Sequence, residues 1–239
     1  MGNSLLVYLN KRISDEKTLK KTESTAGPVI TISREVGCNG LKLARLIAPR
    51  LNTYKSNAKW RVLSKEVFYE SARELNMEPE KIRKTFKQSD KYTFEEILKA
   101  FSDKSYKSER KIVKTVYDVI LSFAIDGYCI IVGRAGHVIA HNIENALHIR
   151  LVAPLEYRVK NIMHNNKLNK EQAINFIDKV EKERMAFRKA ISSDNIKSDL
   201  FDLCINRAMF NDEEIVDFIE YAVNKKKIIQ PRKTAIDFI

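Results

Sequence analysis

From Val29 to Leu51 the chain reads VITISREVGCNGLKLARLIAPRL, an apolar β-branched run, a turn with two glycines and then apolar residues at helical spacing. Val29, Ile30 and Ile32 suit a core strand, and Leu43, Leu46, Ile47 and Leu51 recur as one face of a helix. Gly37 and Gly40 lie between them, where the lack of a side chain lets backbone approach a ligand closely. A helix that starts there offers unpaired amides and the positive end of its dipole to an anion. Strand, Gly-x-x-Gly and helix can be a plain tight turn or a phosphate-binding turn, and the pattern alone leaves both open.

The common nucleotide-binding loop reads Gly-x-x-x-x-Gly-Lys-Ser/Thr and places its Lys on the outer phosphates. Laid over Gly37-Cys38-Asn39-Gly40, that pattern puts Asn39 at the last Gly, Gly40 at the Lys and Leu41 at the hydroxyl residue. Arg34 and Lys42 are the nearest replacement cations. Cys38 sits at a helix start, where a thiol can become reactive, but a small residue tolerated in a turn is the favoured reading.

The rest of the chain repeats the alternation. Tyr128 to Val132 reads as a buried strand that runs into Gly133-Arg134-Ala135-Gly136 and a short helix. Ala146 to Val152 forms another strand and leads through Ala153-Pro154 into a helix from Leu155. A strand-like run follows at Leu203 to Ile205. Between strands, Ile112, Val113, Val116, Ile120 and Phe123 share a helix face that Gly127 ends. Asn169 with Gln172 and Asn211 with Glu214 have capping-box spacing, the first opening a helix from Lys170 to Ile191. Strands separated by helices imply parallel pairing with right-handed crossovers, hence a three-layer α/β domain with both glycine turns at one sheet edge.

That reading divides the chain into a polar arm at 1–27, a core at 28–58 and 112–228, a helical insert at 59–111 and a tail at 229–239. Within the insert, Ser64 caps one expected helix, Pro79 opens another and Phe94 to Phe101 forms a short one. Trp60 at its start could stack on a base, with core packing the favoured role.

A formal charge of +12 at pH 7 makes polyanions the expected partners, nucleotide phosphates or nucleic acid. No zinc finger, RNP motif or basic zipper accompanies the lysines, so nucleic acid is the less favoured of the two. No apolar run approaches the roughly 20 residues that span a bilayer, and no apolar leader opens the chain. Gly2 lacks the following Ser/Thr of a myristoylation signal, since Leu6 occupies that position. A cytoplasmic protein without a membrane partner is expected. Cys38, Cys129 and Cys204 are too scattered for a disulfide framework or zinc site, and His137 and His141 lack a third ligand, so no protein-held metal is expected.

In order and spacing, ITISREVGCNG, IIVGRAGHVI, LHIRLVAPLEYRV and DLFDLCIN resemble the cytidylate kinase-like proteins, a branch of the P-loop nucleoside monophosphate kinases, over Val29 to about Val223. Members of that branch commonly lack the loop Lys. The resemblance implies a P-loop kinase-like α/β fold with a helical acceptor-binding insert and a helical lid at about 165–195. It implies transfer of the ATP γ-phosphoryl group to a nucleoside monophosphate, CMP or dCMP first, with Mg²⁺ held mainly through the nucleotide. The partners are then a nucleoside triphosphate and a small phosphorylated acceptor. The alternative is a non-catalytic module that senses nucleotide or another phosphorylated ligand.

Ile174 to Arg184 resembles the lid pattern Ile-x-x-Arg-Asp-x-x-Asp-x-x-Arg, with Ile177 where the first Arg stands. By that resemblance Arg184 clamps phosphate, Glu181 orients it or contacts the acceptor, and Arg134 holds the acceptor phosphate. Arg34, Gly37, Cys38, Asn39, Gly40, Leu41 and Lys42 form the expected donor site. Phosphoryl transfer needs fixed donors around charged oxygens, and arginine's planar fork binds two such oxygens at once, which adds Arg158 and Arg188 as candidates. Asp178 is a candidate for positioning Mg²⁺ or for stabilising the lid. Ala135 replaces the Asp of the family's Gly-Arg-Asp, and Val132 stands where an acidic residue precedes Gly133, so two expected features of a cytosine site are missing.

Overall fold

Val29–Arg34 forms β1, the middle strand of a five-stranded sheet, because its β-branched residues tolerate burial on both faces. The structure is a computed structural model and describes residues 26–54, 56, 58–63, 109–191 and 201–229. The helices expected at Ser64, Pro79 and Phe94, residues 1–25 of the arm and the tail beyond Ile229 lie outside the described residues.

β1 is flanked by β3 (Cys129–Val132) and β4 (Ala146–Val152), with β2 (Arg61–Leu63) outside β3 and β5 (Leu203–Asn206) outside β4. Every pairing is parallel, and register sets Ile30 beside Ile130 and Leu147. Chain order reverses direction at β1, so the crevice beyond its carboxyl end is the ligand position expected of an open parallel sheet.

Six described helices complete the layers: α1 (Gly40–Leu51), α2 (Glu109–Asp126), α3 (Gly136–Ile139), α4 (Leu155–Asn166), α5 (Lys170–Ile191) and α6 (Asp212–Lys225). Leu43, Ile47 and Leu51 of α1 and Ile215, Ile219 and Val223 of α6 pack on one sheet face with Ile30 and Ile32. Val116, Ile120 and Ala124 of α2 and Val138 and Ile139 of α3 cover the other with Val29 and Ile131. Val159 and Ile162 of α4 meet Ala173 and Ile177 of α5 and Val36 in a third apolar cluster that fixes α5 against α4. Both expected capping boxes are present. Asn169 and Gln172 exchange bonds of 3.0 and 2.9 Å, and Asn211 and Glu214 exchange bonds of 2.8 and 3.0 Å.

Two expectations change, and the favoured core role of Trp60 holds. Arg61–Leu63 pairs with β3, so the core extends through Leu63 rather than stopping at residue 58. Trp60, 3% exposed, packs in the core cluster and sets its ring edge-on to Tyr128 at 5.8 Å, at the amino end of the sheet and away from the glycine turns. Leu46 is 41% exposed, because the buried stripe of α1 runs through Leu43, Ala44, Ile47 and Ala48 and leaves Leu46 beside it. No described helix is long and apolar enough to cross a membrane.

Candidate phosphate-binding site

The chain leaves β1 at Arg34 and enters α1 at Gly40, and the turn between is held from behind. Asn161 Nδ2 donates to the Gly37 carbonyl at 2.9 Å, Arg207 Nε to the Cys38 carbonyl at 3.3 Å, and Asn165 Nδ2 to Asn39 Oδ1 at 3.2 Å. Gly37 lies against α4 so closely that a Cβ there would stand 2.8 Å from the Arg158 Cα, which explains the glycine by packing alone. Asn39 adopts the left-handed conformation (φ 50°, ψ 38°), which asparagine is among the residues that tolerate. The amides of Gly37, Asn39, Gly40, Leu41 and Lys42 have no acceptor among the described residues. Such a turn offers several N–H groups to an anion at a helix amino end.

Arg34 joins the two glycine turns. Its Cγ and Cδ lie 3.3 and 3.4 Å from where Gly40 would carry a Cβ, and its Cζ lies 2.8 Å from the corresponding position on Gly133. The side chain thus crosses from the start of α1 to the end of β3 and fills the room that a side chain at residue 40 would need. Gly133 is drawn in by its own amide, which donates to the Ile32 carbonyl at 2.9 Å. After it, Arg134 and Ala135 both hold positive φ, 57° and 54°, a conformation that costs free energy in residues with a Cβ and is found where surrounding structure demands it.

The helix α5 reaches this place with two side chains. Glu181 Oε1 accepts from the Val36 amide at 2.6 Å, and Arg184 Nη1 donates to the Arg34 carbonyl at 2.9 Å. Arg34, Arg134 and Arg184 are all half-buried. Burial first, and then Arg184 and Arg134, hold the Arg34 guanidinium well below its ordinary pKa, with Glu181 opposing. Burial and Arg184 pull Arg134 down to about 9, and burial outweighs Glu181 in lowering Arg184. Like charges gathered out of water have excess positive potential that an anion relieves.

The other candidates are placed differently. Arg158 sits beside the turn, with Nε donating to the Ala153 carbonyl at 3.1 Å and lying 3.5 Å from Glu35 Oε2, which also accepts from the Ala153 amide. Lys42 pairs with Asp212 at 2.7 Å and its side chain is 68% exposed, so its charge is already matched. Arg188 is half-buried one turn beyond Arg184 and adds to the repulsion on it. Leu41 packs on the core beneath α1. Cys38 is fully buried, and its thiol is pushed up to about 11 by burial and then Glu35, which makes it unreactive. Ile177, which stands where the resembled pattern has its first Arg, is 2% exposed in the apolar cluster between α4 and α5 and serves as a packing residue. Asp178 is exposed, and His137 is buried against the Phe201 ring at 4.6 Å. Among the described residues no group of three His, Cys, Asp or Glu side chains could hold a metal.

Asn161, Asn165 and Arg207, the supports behind the turn, were not among the residues selected from sequence. The available signal was position. Arg207 directly follows β5 and so emerges at the same carboxyl edge as the two glycine turns.

A parallel sheet with glycine turns, a helix amino end and clustered guanidiniums at one edge defines an α/β protein of the P-loop kinase kind. A model of the cytidylate kinase-like family matches residues 29–209, and the chain belongs to that family. Among solved structures it is similar to an uncharacterized protein from Eubacterium ventriosum, at 18% identity and a TM-score of 0.57 over 82% of this chain and 98% of that one. It is also similar to shikimate kinase from Bacteroides thetaiotaomicron, at 9% identity and a TM-score of 0.46 over 82% and 98% of the two chains. Shikimate kinase from Acinetobacter baumannii aligns at 13% identity and a TM-score of 0.44 over 87% and 98%. A comparison with curated proteins gives no match.

Proposed function

We propose that this kinase-like protein transfers the γ-phosphoryl group of ATP to a nucleoside monophosphate, with CMP and dCMP the first acceptors to test. The observation that carries the reading is the convergence of Arg34, Arg134 and Arg184, half-buried and mutually repelling, on a turn whose amides have no acceptor among the described residues. In this assignment the turn from Gly37 to Lys42 cradles the donor phosphates. Arg34 supplies the charge that a loop Lys supplies elsewhere, which is why residue 40 can be glycine: the strand end delivers the cation instead. Arg134 holds the acceptor phosphate, and Arg184 closes over the transferred group while Glu181 fixes α5 to the turn. An acceptor phosphate oxygen attacks the γ-phosphorus, the bond to the β–γ bridging oxygen breaks, and ADP leaves with that oxygen's electron pair. The protein's part is positioning and charge stabilisation with water excluded.

The turn fits a polyphosphate, but Leu41, packed against the core, stands where a loop hydroxyl would reach Mg²⁺, and Asp178 is exposed. Mg²⁺, which neutralises charge between β- and γ-oxygens when bound, would then be carried mainly by the nucleotide.

A second reading, a phosphate-ligand sensor without turnover, is favoured by one feature. Glu181 and Arg184 are already engaged with backbone at Val36 and Arg34, so the lid residues have a structural task of their own. A thermal-shift screen of nucleoside mono- and triphosphates, followed by coupled ADP release, separates the readings. ATP is expected to raise the unfolding midpoint, and CMP or dCMP to stimulate ADP release that Arg184→Ala abolishes without loss of helical signal. ATP binding with no acceptor-dependent release across all monophosphates selects the sensor. No shift with any nucleotide overturns the kinase reading and any nucleotide sensor. Steeply salt-dependent RNA or DNA binding that ATP does not displace would assign the positive charge elsewhere.

A further inference from the structure

We infer that Arg207 is a positioning residue for the anion-binding turn, acting by aiming the Asn39 amide at the ligand. The inference rests on the reading of residues 37–42 as a phosphate cradle. In a trans peptide the carbonyl and the following N–H point in opposite directions, and no peptide bond described here is cis. Arg207 Nε holds the Cys38 carbonyl at 3.3 Å, so the Asn39 N–H is turned to the side away from Arg207. That amide has no acceptor among the described residues. The peptide before it obeys the same rule: Asn161 holds the Gly37 carbonyl, and the Cys38 N–H turns back onto the Glu35 carbonyl at 3.2 Å.

Arg207 is itself firmly placed. Its amide donates to the Val152 carbonyl at 2.8 Å, which fixes the start of the side chain at the end of β4. Its Nη2 meets Asp212 at 2.5 Å, and Asp212 also takes Lys42 Nζ at 2.7 Å. The chain from Lys42 through Asp212 to Arg207 therefore links the first turn of α1 to the carbonyl that orients the loop.

The remaining nitrogen argues against a role in stability alone. Arg207 is 5% exposed, and its Nη1 is buried with no hydrogen-bond partner among the described residues. A buried guanidinium left partly unsatisfied is a poor way to stabilise a core, and an apolar residue of similar size would serve that purpose better. What only arginine does here is hold a main-chain oxygen with Nε while Nη2 is anchored.

The test is calorimetric binding of ATP and of inorganic triphosphate to the full chain, below the unfolding midpoint of each variant, with the Asn39 amide resonance followed on titration. Arg207→Ala is expected to bind both ligands about tenfold more weakly. Arg207→Lys, which keeps a buried charge but lacks Nε, is expected to lose a similar factor, and it is the variant to read if the alanine form does not fold. In both, the ligand-induced shift of the Asn39 amide should shrink. A merely structural arginine would lower the midpoint and leave affinity and that resonance shift unchanged, and this result overturns the inference. Wild-type protein that binds neither ligand removes the phosphate cradle itself. Wild-type binding that Arg184→Ala weakens and Arg207→Lys does not removes only the role of Arg207.

Discussion

Substituting alanine at Gly133 tests whether Arg34 works in the anion site, because two consequences of one methyl group can be separated. The first is local. Gly133 has φ 77°, and an L-residue in the left-handed region costs about 1–2 kcal/mol. The second is displacement. The new Cβ would stand 2.8 Å from Arg34 Cζ and closer still to Nη1, inside any real contact distance, and the guanidinium is the movable partner. If it swings out, the site loses a charge-assisted bond to phosphate, roughly 2 kcal/mol or about thirtyfold in ATP affinity. Gly127→Ala is the matched control: φ is 75°, its Cβ would meet the Pro28 backbone nitrogen at 2.9 Å, and it lies just before β3 at the other end of the sheet. Urea unfolding should show both variants destabilised, with Gly127→Ala hit at least as hard because backbone cannot step aside. Calorimetry at a temperature where both are folded should show weakened ATP binding for Gly133→Ala alone. A Gly133→Ala protein that is destabilised yet binds ATP as tightly as wild type would refute the assignment of Arg34, as would equal loss of binding in the control.

Two further predictions concern the scaffold. His148 is half-buried, shares a 2.7 Å bond between Nδ1 and Thr31 Oγ1, and is pulled down to about 4 chiefly by burial, with Asp202 opposing and Lys226 and His141 adding to the depression. Its unfolded form takes a proton near pH 6.5 while the native form does not, so stability is lost as pH falls from about 6.5 to 4, by up to roughly 3 kcal/mol. Urea unfolding of His148→Gln at pH 7 and 4.5 should show a smaller acid loss than wild type, and identical losses would sink the claim. Introducing the first arginine of the cytidylate kinase pattern with Ile177→Arg should cost roughly 3 kcal/mol or more, because the side chain enters an apolar cluster, and it should not raise turnover. Undiminished stability by the same unfolding assay would contradict that placement.

Long periodic elements were readable from sequence. The bounds of β4 and α5 and both capping boxes follow from local pattern, since period-3.6 burial and side-chain caps are written within a few residues. β2 was not, because Arg61–Leu63 is too short to show alternation and owes its conformation to β3. Leu46 misled because its spacing fits the face while the packing of α6 on α1 decides which edge of that face is covered. Family resemblance brought Arg134 and Arg184 forward, and the structure sets them beside Arg34. The contact of Arg207 with Cys38 joins residues 169 positions apart, and no local pattern encodes such a bond.

The docking of α5 at Val36 and Arg34 is made to main-chain atoms. Glu181 and Arg184 therefore grip the course of the chain after β1 through its backbone, while the Val36 side chain joins α5 in an apolar cluster. A residue exchanged at 34 would change the local electrostatics while both bonds keep their backbone partners. The charge at the end of β1 and the seating of α5 can thus vary separately.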